Sequence, residues 1–311
     1  MEKLGDAAAF GTALCWTASA LFFETASRRI GALAVNFTKV IAATFLLGFA
    51  AFALRGMPLP LDAPALAWIY LPISGIVGFV VADYFLFNAY VLISSRVTVL
   101  FQALTPLFTA ALAWMILGET IRPLRLVAMA LVLAGIVIVV RSRSPALPGR
   151  AAGAAGAPGA AAPIDSRRLA KGYVFAFLSS LFQAVGLIFS KLGLGGYDPV
   201  SGTQIRTMTA VLGFAVQALV IGQASEVARA WKDRPAMRNT AIGSIFGPFL
   251  GVTLSLFALQ NTSAGSASTL MALTPVLIIP PSILLLKQKV KAREIAGAAL
   301  AVAGAALFFI L

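Results

Sequence analysis

The sequence predicts an all-α polytopic membrane protein, with ten transmembrane helices arranged as two inverted five-helix repeats. Of its 311 residues, 60% are hydrophobic and only 11% are charged, against about one-quarter charged in soluble domains. Its apolar runs are long enough, at 1.5 Å per residue, to cross about 30 Å of hydrocarbon. A repeat is also visible, because Leu104-Thr105-Pro106 returns 169 residues later as Leu273-Thr274-Pro275.

The first five spans are expected near 4 to 24, 34 to 54, 66 to 90, 95 to 117 and 121 to 140. The first has no basic leader and no convincing cleavage site, so it reads as a retained helix rather than a signal peptide. The next five fall near 170 to 191, 201 to 222, 238 to 259, 264 to 286 and 293 to 311. Between the two sets stands "RSRSPALPGRAAGAAGAPGAAAPIDSRR". Its Pro, Gly and Ala offer neither hydrophobic anchor nor periodicity, which predicts a flexible linker. The expected division is a first repeat over 1–140, a linker over 141–169 and a second repeat over 170–311.

The same offset aligns the third and eighth spans without a gap, setting Ser74, Gly78 and Ala82 on Gly243, Gly247 and Gly251. Small residues spaced by four form a groove that lets a neighbouring backbone approach, so these positions are read as helix-packing sites. Gly135 likewise falls on Gly304, and Ala89 on Ala258. Because five is odd, the second copy enters the membrane from the opposite side.

Composition removes several function classes. The chain has no His and one Cys, Cys15, so an internal disulfide is impossible and metal sites or triads built on those residues are not expected. No Gly-rich loop ends in Lys-Ser or Lys-Thr, so ATP hydrolysis is not indicated, and no cofactor is called for. The formal charge of +13 comes from Lys and Arg lying mostly in short breaks between apolar runs. There they set membrane orientation rather than bind nucleic acid.

"GFVVADYFLFNAYVLISSRVTVLFQALTPLFTAALAWMILGETIRPLRLVAMALVLAGIVIVV" and "SIFGPFLGVTLSLFALQNTSAGSASTLMALTPVLIIPPSILLLKQKVKAREIAGAALAVAGAALFFI" resemble the two EamA-type halves of the drug/metabolite transporter superfamily. The shared features are an Ala-containing turn ending helix three, the Pro of helix four, Gly-Glu after it, and Ala-Gly near the end of helix five. The resemblance implies a ten-helix exporter or exchanger of the bacterial inner membrane. Helices one to four and six to nine would surround a central cavity, with five and ten as buttresses. The second half departs from the pattern, since Gly118-Glu119 of the first becomes Lys287-Gln288 there. Glu119 therefore reads as a cap of the next helix or a partner of Arg122 or Arg125. The expected function is a secondary transporter for a small organic metabolite, an amino acid among the options, with protons as a candidate coupling ion. The alternatives are a flippase for a lipid or a lipid-linked metabolite and, behind it, a membrane enzyme. The partners are the solute and the bilayer, and a monomer is compatible with all of this.

A charge deep in a bilayer costs at least about 2.5 to 3.5 kcal/mol, so each one needs an account. Asp83 is the leading candidate, as a protonatable cavity carboxylate, a counter-ion for an amine, or a structural partner of Lys39 or Arg206. Lys39 and Arg206 occupy nearly equivalent places in the repeats. Either they snorkel to headgroups or they face the cavity and attract a carboxylate or phosphate. Thr98, Gln102, Thr105 and Thr109 share one face of the fourth span by their spacing, as do Ser179, Gln183 and Ser190 on the sixth. Each stripe suits solute contact or bonds between helices. Tyr84, Phe101 and Phe182 are candidates to flank an apolar solute. Pro106 and Pro275, matched across the repeat, are candidate gate hinges, with compensated kinks as the alternative. Basic residues outside the spans favour the face away from the termini, which carries all but Lys3, Arg55, Arg122, Arg125 and Lys191. The positive-inside rule then puts the termini outside, whereas the family habit puts them inside.

Nothing in the linker can bury apolar area, so a chain cut within residues 145–160 is expected to retain flux in proteoliposomes. Loss of flux with normal membrane insertion would assign the segment more than tethering.

Overall fold

The computed structural model describes residues 1–102, 104–142, 166–277 and 291–310. Most of the linker expected over 141–169, the part of the ninth span beyond Leu277, and Lys287-Gln288 lie outside the described residues. Every regular element among the described residues is helical.

The helix α1 (Glu2–Ile30) meets α2 (Ala32–Arg55) at Gly31, whose φ of 82° only glycine adopts without strain. The helix α3 (Ala65–Gly75) passes through a wide-turned π segment, π1 (Ile76–Val81), into α4 (Ala82–Gln102). Then follow α5 (Thr105–Leu117) and α6 (Pro123–Ser142). The second half runs α7 (Ser166–Leu194), α8 (Pro199–Val220), the short α9 (Ala224–Ala230), α10 (Arg234–Ser244), π2 (Ile245–Gly251) and α11 (Val252–Asn261). It ends with α12 (Ala264–Met271), α13 (Thr274–Leu277) and α14 (Ala292–Ile310).

Four helical stretches are long and apolar enough to span a bilayer: Ala32–Arg55, Ala65–Leu86, Leu169–Leu194 and Arg234–Asn261. A fifth appears if α8 and α9, bent by 119°, count as one. The helix α5 and Pro123–Val139 are apolar but shorter. Phe45, Phe49 and Phe52 on α2, Trp114 and Met115 on α5, and Leu212 and Val216 on α8 are exposed. That apolar coat suits acyl chains, and the chain is an integral membrane protein.

Packing follows the offset between the halves. The stretch α10–π2–α11 lies against α1, and its counterpart α3–π1–α4 lies against α7; α2 packs on α8, and α6 on α14. The main core gathers Ala9, Ala128, Val132, Ala258, Ala267 and Ala301, small residues that let α1, α6, α11, α12 and α14 meet closely. At the α6–α14 contact, a Cβ added to Gly135 would fall 2.5 Å from the Ala301 nitrogen and from the Gly297 oxygen. One added to Gly304 would fall 2.8 Å from the Val132 nitrogen and 2.9 Å from the Ala128 oxygen. Exchanging each residue for the one 169 away maps this contact onto itself.

Other details go beyond the sequence reading. The two π segments begin at positions related by the same offset, Ile76 and Ile245. The small-residue grooves are used differently: Gly78 lies against the backbone of Gly186, whereas Gly243 and Gly247 receive the ring of Phe23 and Gly251 that of Trp16. The turn expected between the third and fourth spans has no non-helical residue, since α4 continues to Gln102. Its partners on α7 nevertheless reverse. Gly78, Phe85 and Ile93 meet Gly186, Phe182 and Gly172 in descending order, while Phe101 and Gln102 meet Ser180 and Ser179. The chain therefore changes direction between Ile93 and Phe101. In the second half the corresponding turn is open at Thr262 and Ser263, where Ser263 caps α12 by accepting from the Ser266 N–H. Asn261 and Thr262 release a helix there that Leu92 and Ile93 hold. Both Leu-Thr-Pro triplets mark breaks. The helix α5 starts at Thr105 with Pro106 in its first turn, and α13 starts at Thr274 after a turn at Ala272 and Leu273. A proline at a helix start gives up a donor that had no partner anyway.

Gly135→Leu or Gly304→Leu is expected to force α6 and α14 apart, at a cost of roughly 1 to 3 kcal/mol, and to lower the melting temperature in detergent. The double variant falls short of additivity because both changes open one interface. Unchanged melting would show that the contact is not tight.

Candidate functional site

Lipid offers no hydrogen bonds, so polar side chains within the helices are settled by partners inside the bundle. The central settlement is an ion pair. Lys39 on α2 donates from Nζ to Asp83 Oδ2 at 2.8 Å, with both residues buried. The ammonium also lies 5.5 Å from the Phe23 ring. Asp83 is placed by π1, which ends two residues before it. Arg206, only 5% exposed, is arranged differently. Its guanidinium stacks over the Phe79 ring at 5.0 Å, and a Cβ at Gly78 would lie 3.3 Å from its Nη2. Among the described residues it has no carboxylate partner, and its Nε is buried without a hydrogen bond.

A cavity of about 480 Å³ opens at one end of the bundle, between the α1–α2 turn and the end of α8. Asn36, Asp83, Tyr84, Asn88, Gln217 and Glu226 give it a polar lining, and Leu33, Phe214 and Val227 an apolar one. Asn36 Oδ1 and Gln217 Oε1 are buried there without a hydrogen-bond partner. Of the sequence candidates, Asp83 and Tyr84 reach this wall. Lys39 stands behind Asp83, and Arg206 does not reach the cavity.

The polar stripes bond between helices. Gln102 Nε2 donates to Ser179 Oγ at 2.8 Å, and Thr105 donates to Gln102 Oε1 at 3.2 Å. Ser74 and Ser190 share a 2.6 Å hydrogen bond. Gln183 is half-buried on α7. Pro106 is buried at the start of α5, and Pro275 lies in α13. The lining residues Asn36, Gln217 and Glu226 escaped the sequence reading. Gln217 continues the face of Arg206, Ala210 and Phe214 at spacings of four, four and three, and Asn36 stands one turn before Lys39. Those spacings are the available signal.

The opposite end, at the N-terminal face, has a shallow, open depression of about 440 Å³, lined by Glu2, Glu119, Lys191 and Gln260 and crossed by ion pairs. Arg125 on α6 meets Glu2 at 3.0 Å and buried Asp6 at 3.4 Å, and Thr262 donates to Asp6 at 2.9 Å. Lys191 on α7 meets Glu119 at 2.6 Å and donates to the Thr262 carbonyl at 2.7 Å. Glu119 also accepts from the Ala264 N–H at 2.8 Å. It thus caps α12 in the other half, rather than the next helix or the two arginines expected from sequence. Beside this seal, Arg55 pairs with Asp62, which accepts from the Tyr197 hydroxyl at 2.9 Å. At the cavity end Arg29 meets Asp233 at 3.0 Å in an exposed pair. The Ala236 N–H, and then Arg29, hold the Asp233 carboxyl below its ordinary range. Its contribution is therefore present above the unfolded value and lost as pH falls through the folded one.

The EamA-like transporter family matches residues 3–141 and again residues 170–310. A search of curated proteins returns no match. Among solved structures, a crystal structure of a protein is similar over 97% of this chain and 95% of its own, with a TM-score of 0.68 and 21% sequence identity. At that identity the likeness speaks for the fold alone.

Lys39→Met leaves Asp83 charged and without its one described partner. It is expected to cost about 3 to 5 kcal/mol and to lower the melting temperature. Adding Asp83→Asn removes the stranded charge and recovers most of the loss. A double variant no more stable than Lys39→Met alone would show that the two residues act separately.

Proposed function

The chain belongs to the EamA-like transporter family, and from that premise we propose that it is a secondary transporter, an exporter or exchanger, moving a small organic solute by alternating access. The observation that carries this reading is the contrast between the two ends of the bundle: a more enclosed polar cavity at one, a shallow depression crossed by ion pairs at the other. A carrier resting with one gate open has this form.

In this reading the chain crosses the membrane ten times, as inverted repeats over 1–140 and 170–311 joined by the 141–169 linker. The self-mapping contact of Gly135 with Gly304 and the paired π segments support it. Lys39, Asp83, Tyr84 and Arg206 follow one another along the solute path. Gln102, Thr105 and Gln183 belong to the layer that shifts against it, and Pro106 and Pro275 are the hinges. The seal engages Arg55, Arg125 and Lys191, three of the few basic residues on the termini's face. Charge balance then places the cavity end in the cytoplasm, so the conformation described takes up solute from inside. Asp83, when Lys39 releases it, is the group to carry a coupling proton. The reading needs only a monomer in a bacterial inner membrane.

Solute flux into proteoliposomes, with the solute chemically unchanged, tests the class. Asp83→Asn is expected to abolish uphill flux driven by a proton gradient while downhill exchange partly survives. Uphill flux at the wild-type level would remove Asp83 from the coupling. Pro106→Ala and Pro275→Ala are expected to shift cysteine accessibility in opposite directions across the membrane, and identical shifts would demote both prolines to packing.

A further inference from the structure

We infer that the cavity between α2, α4, α8 and α9 is a binding site for an alkylammonium cation, a primary amine or diamine. This names the substrate class of the proposed transport site and so rests on that reading.

The lining carries two carboxylates, Asp83 and Glu226, and among the described residues no Lys or Arg. Asp83 makes one hydrogen bond, through Oδ2 to Lys39, which leaves Oδ1 to a ligand. Two amide residues also line the wall, Asn36, only 3% exposed, and Gln217, and the oxygen of each is buried without a hydrogen-bond partner. A buried acceptor without a donor is costly, and turning either side chain towards the cavity would let a bound ammonium, with its three donors, meet it. Turning either amide end for end would exchange an unmet acceptor for an unmet donor. Lys39 already neutralises Asp83, so Glu226 gives the wall its net negative charge, and an anionic solute would meet like charge where a cationic one meets its opposite.

The cations expected to attract a carboxylate are placed elsewhere. Lys39 is spent on Asp83, and Arg206 lies eleven residues before Gln217 on α8, about 16 Å deeper at 1.5 Å per residue. Between the acidic positions the wall is apolar, with Leu33, Phe214, Ile221 and Val227, which suits a short alkyl chain. Glu226 on the exposed α9 and Asp83 on α4 come from different elements, so a diamine can engage one with each end.

Titration calorimetry of the purified protein at about pH 7.5, where amines and carboxylates are both charged, tests this with 1,4-diaminobutane, 1,4-butanediol and succinate. The expected result is saturable binding of the diamine, with the diol at least about tenfold weaker and succinate not binding. Gln217→Leu and Glu226→Gln are each expected to raise the diamine Kd about tenfold. Glu226 lies on an exposed helix, so its variant folds even if Gln217→Leu does not. Diol binding equal to diamine, succinate binding in preference, or an unchanged Kd in Glu226→Gln would overturn the assignment. Diamine binding without diamine flux into proteoliposomes would support the ligand class and remove the transport reading. Flux of other solutes by a protein that does not bind the diamine would do the reverse.

Discussion

Inside a bilayer no water is at hand to satisfy a polar atom, so each one must be answered by another part of the same chain. Most of this molecule can be understood from that constraint. Lys39 answers Asp83, Ser190 answers Ser74, and Ser179 answers Gln102. Each of these contacts joins separate helices, and the last two join the halves. The ion pairs of the N-terminal face do the same at larger scale, tying Glu119 and Arg125 of the first half to Lys191, Thr262 and Ala264 of the second. The constraint is left unmet at several buried atoms, among them Gln204 Oε1, Arg206 Nε and Thr253 Oγ1, and two more belong to residues that line the cavity, Asn36 and Gln217.

The two halves share a frame and differ in its chemistry. The π segments begin at matched positions, and the breaks before Thr105 and Thr274 recur. So does the crossing of α6 with α14. Yet Asp83, just beyond π1, corresponds to Val252 beyond π2. Wide π turns leave the local ladder loosened, and only one of the two carries a charge beside it. A symmetric scaffold can favour two facings about equally, while a single charged site gives the pathway one place to hold a solute.

Much of this scaffold was legible in the sequence, because apolar length and a fixed offset are one-dimensional signals. The match of Gly135 with Gly304 marked the duplication, though not that α6 and α14 meet there, and a buried partner for Asp83, Lys39 or Arg206, followed from the cost of an isolated charge. The π segments were not legible, since Ile76–Val81 and Ile245–Gly251 match only at Ile76 with Ile245 and Gly78 with Gly247. Glu119 was misread because its partners lie far along the chain, Ala264 being 145 residues away. Asn36 and Gln217 had the right spacing, but an amide in an apolar helix ordinarily bonds to a neighbour. Only the packed bundle shows that their oxygens have none.

Cavity and seal are opposite ends of one pathway only if the halves rock about the polar layer between them. Two distances follow that motion in a protein with Cys15 replaced and spin labels introduced in pairs. Labels at Asn88 and at Ala224, the first residue of α9, span the cavity mouth, and labels at Thr120 and Gln260 span the sealed end. Pulsed electron–electron resonance in lipid is expected to find two populations for each pair, with the cavity-mouth distance shortening as the sealed-end distance lengthens when a transported solute is added. Distances that stay fixed at both ends, or that lengthen together, would contradict alternating access by this chain.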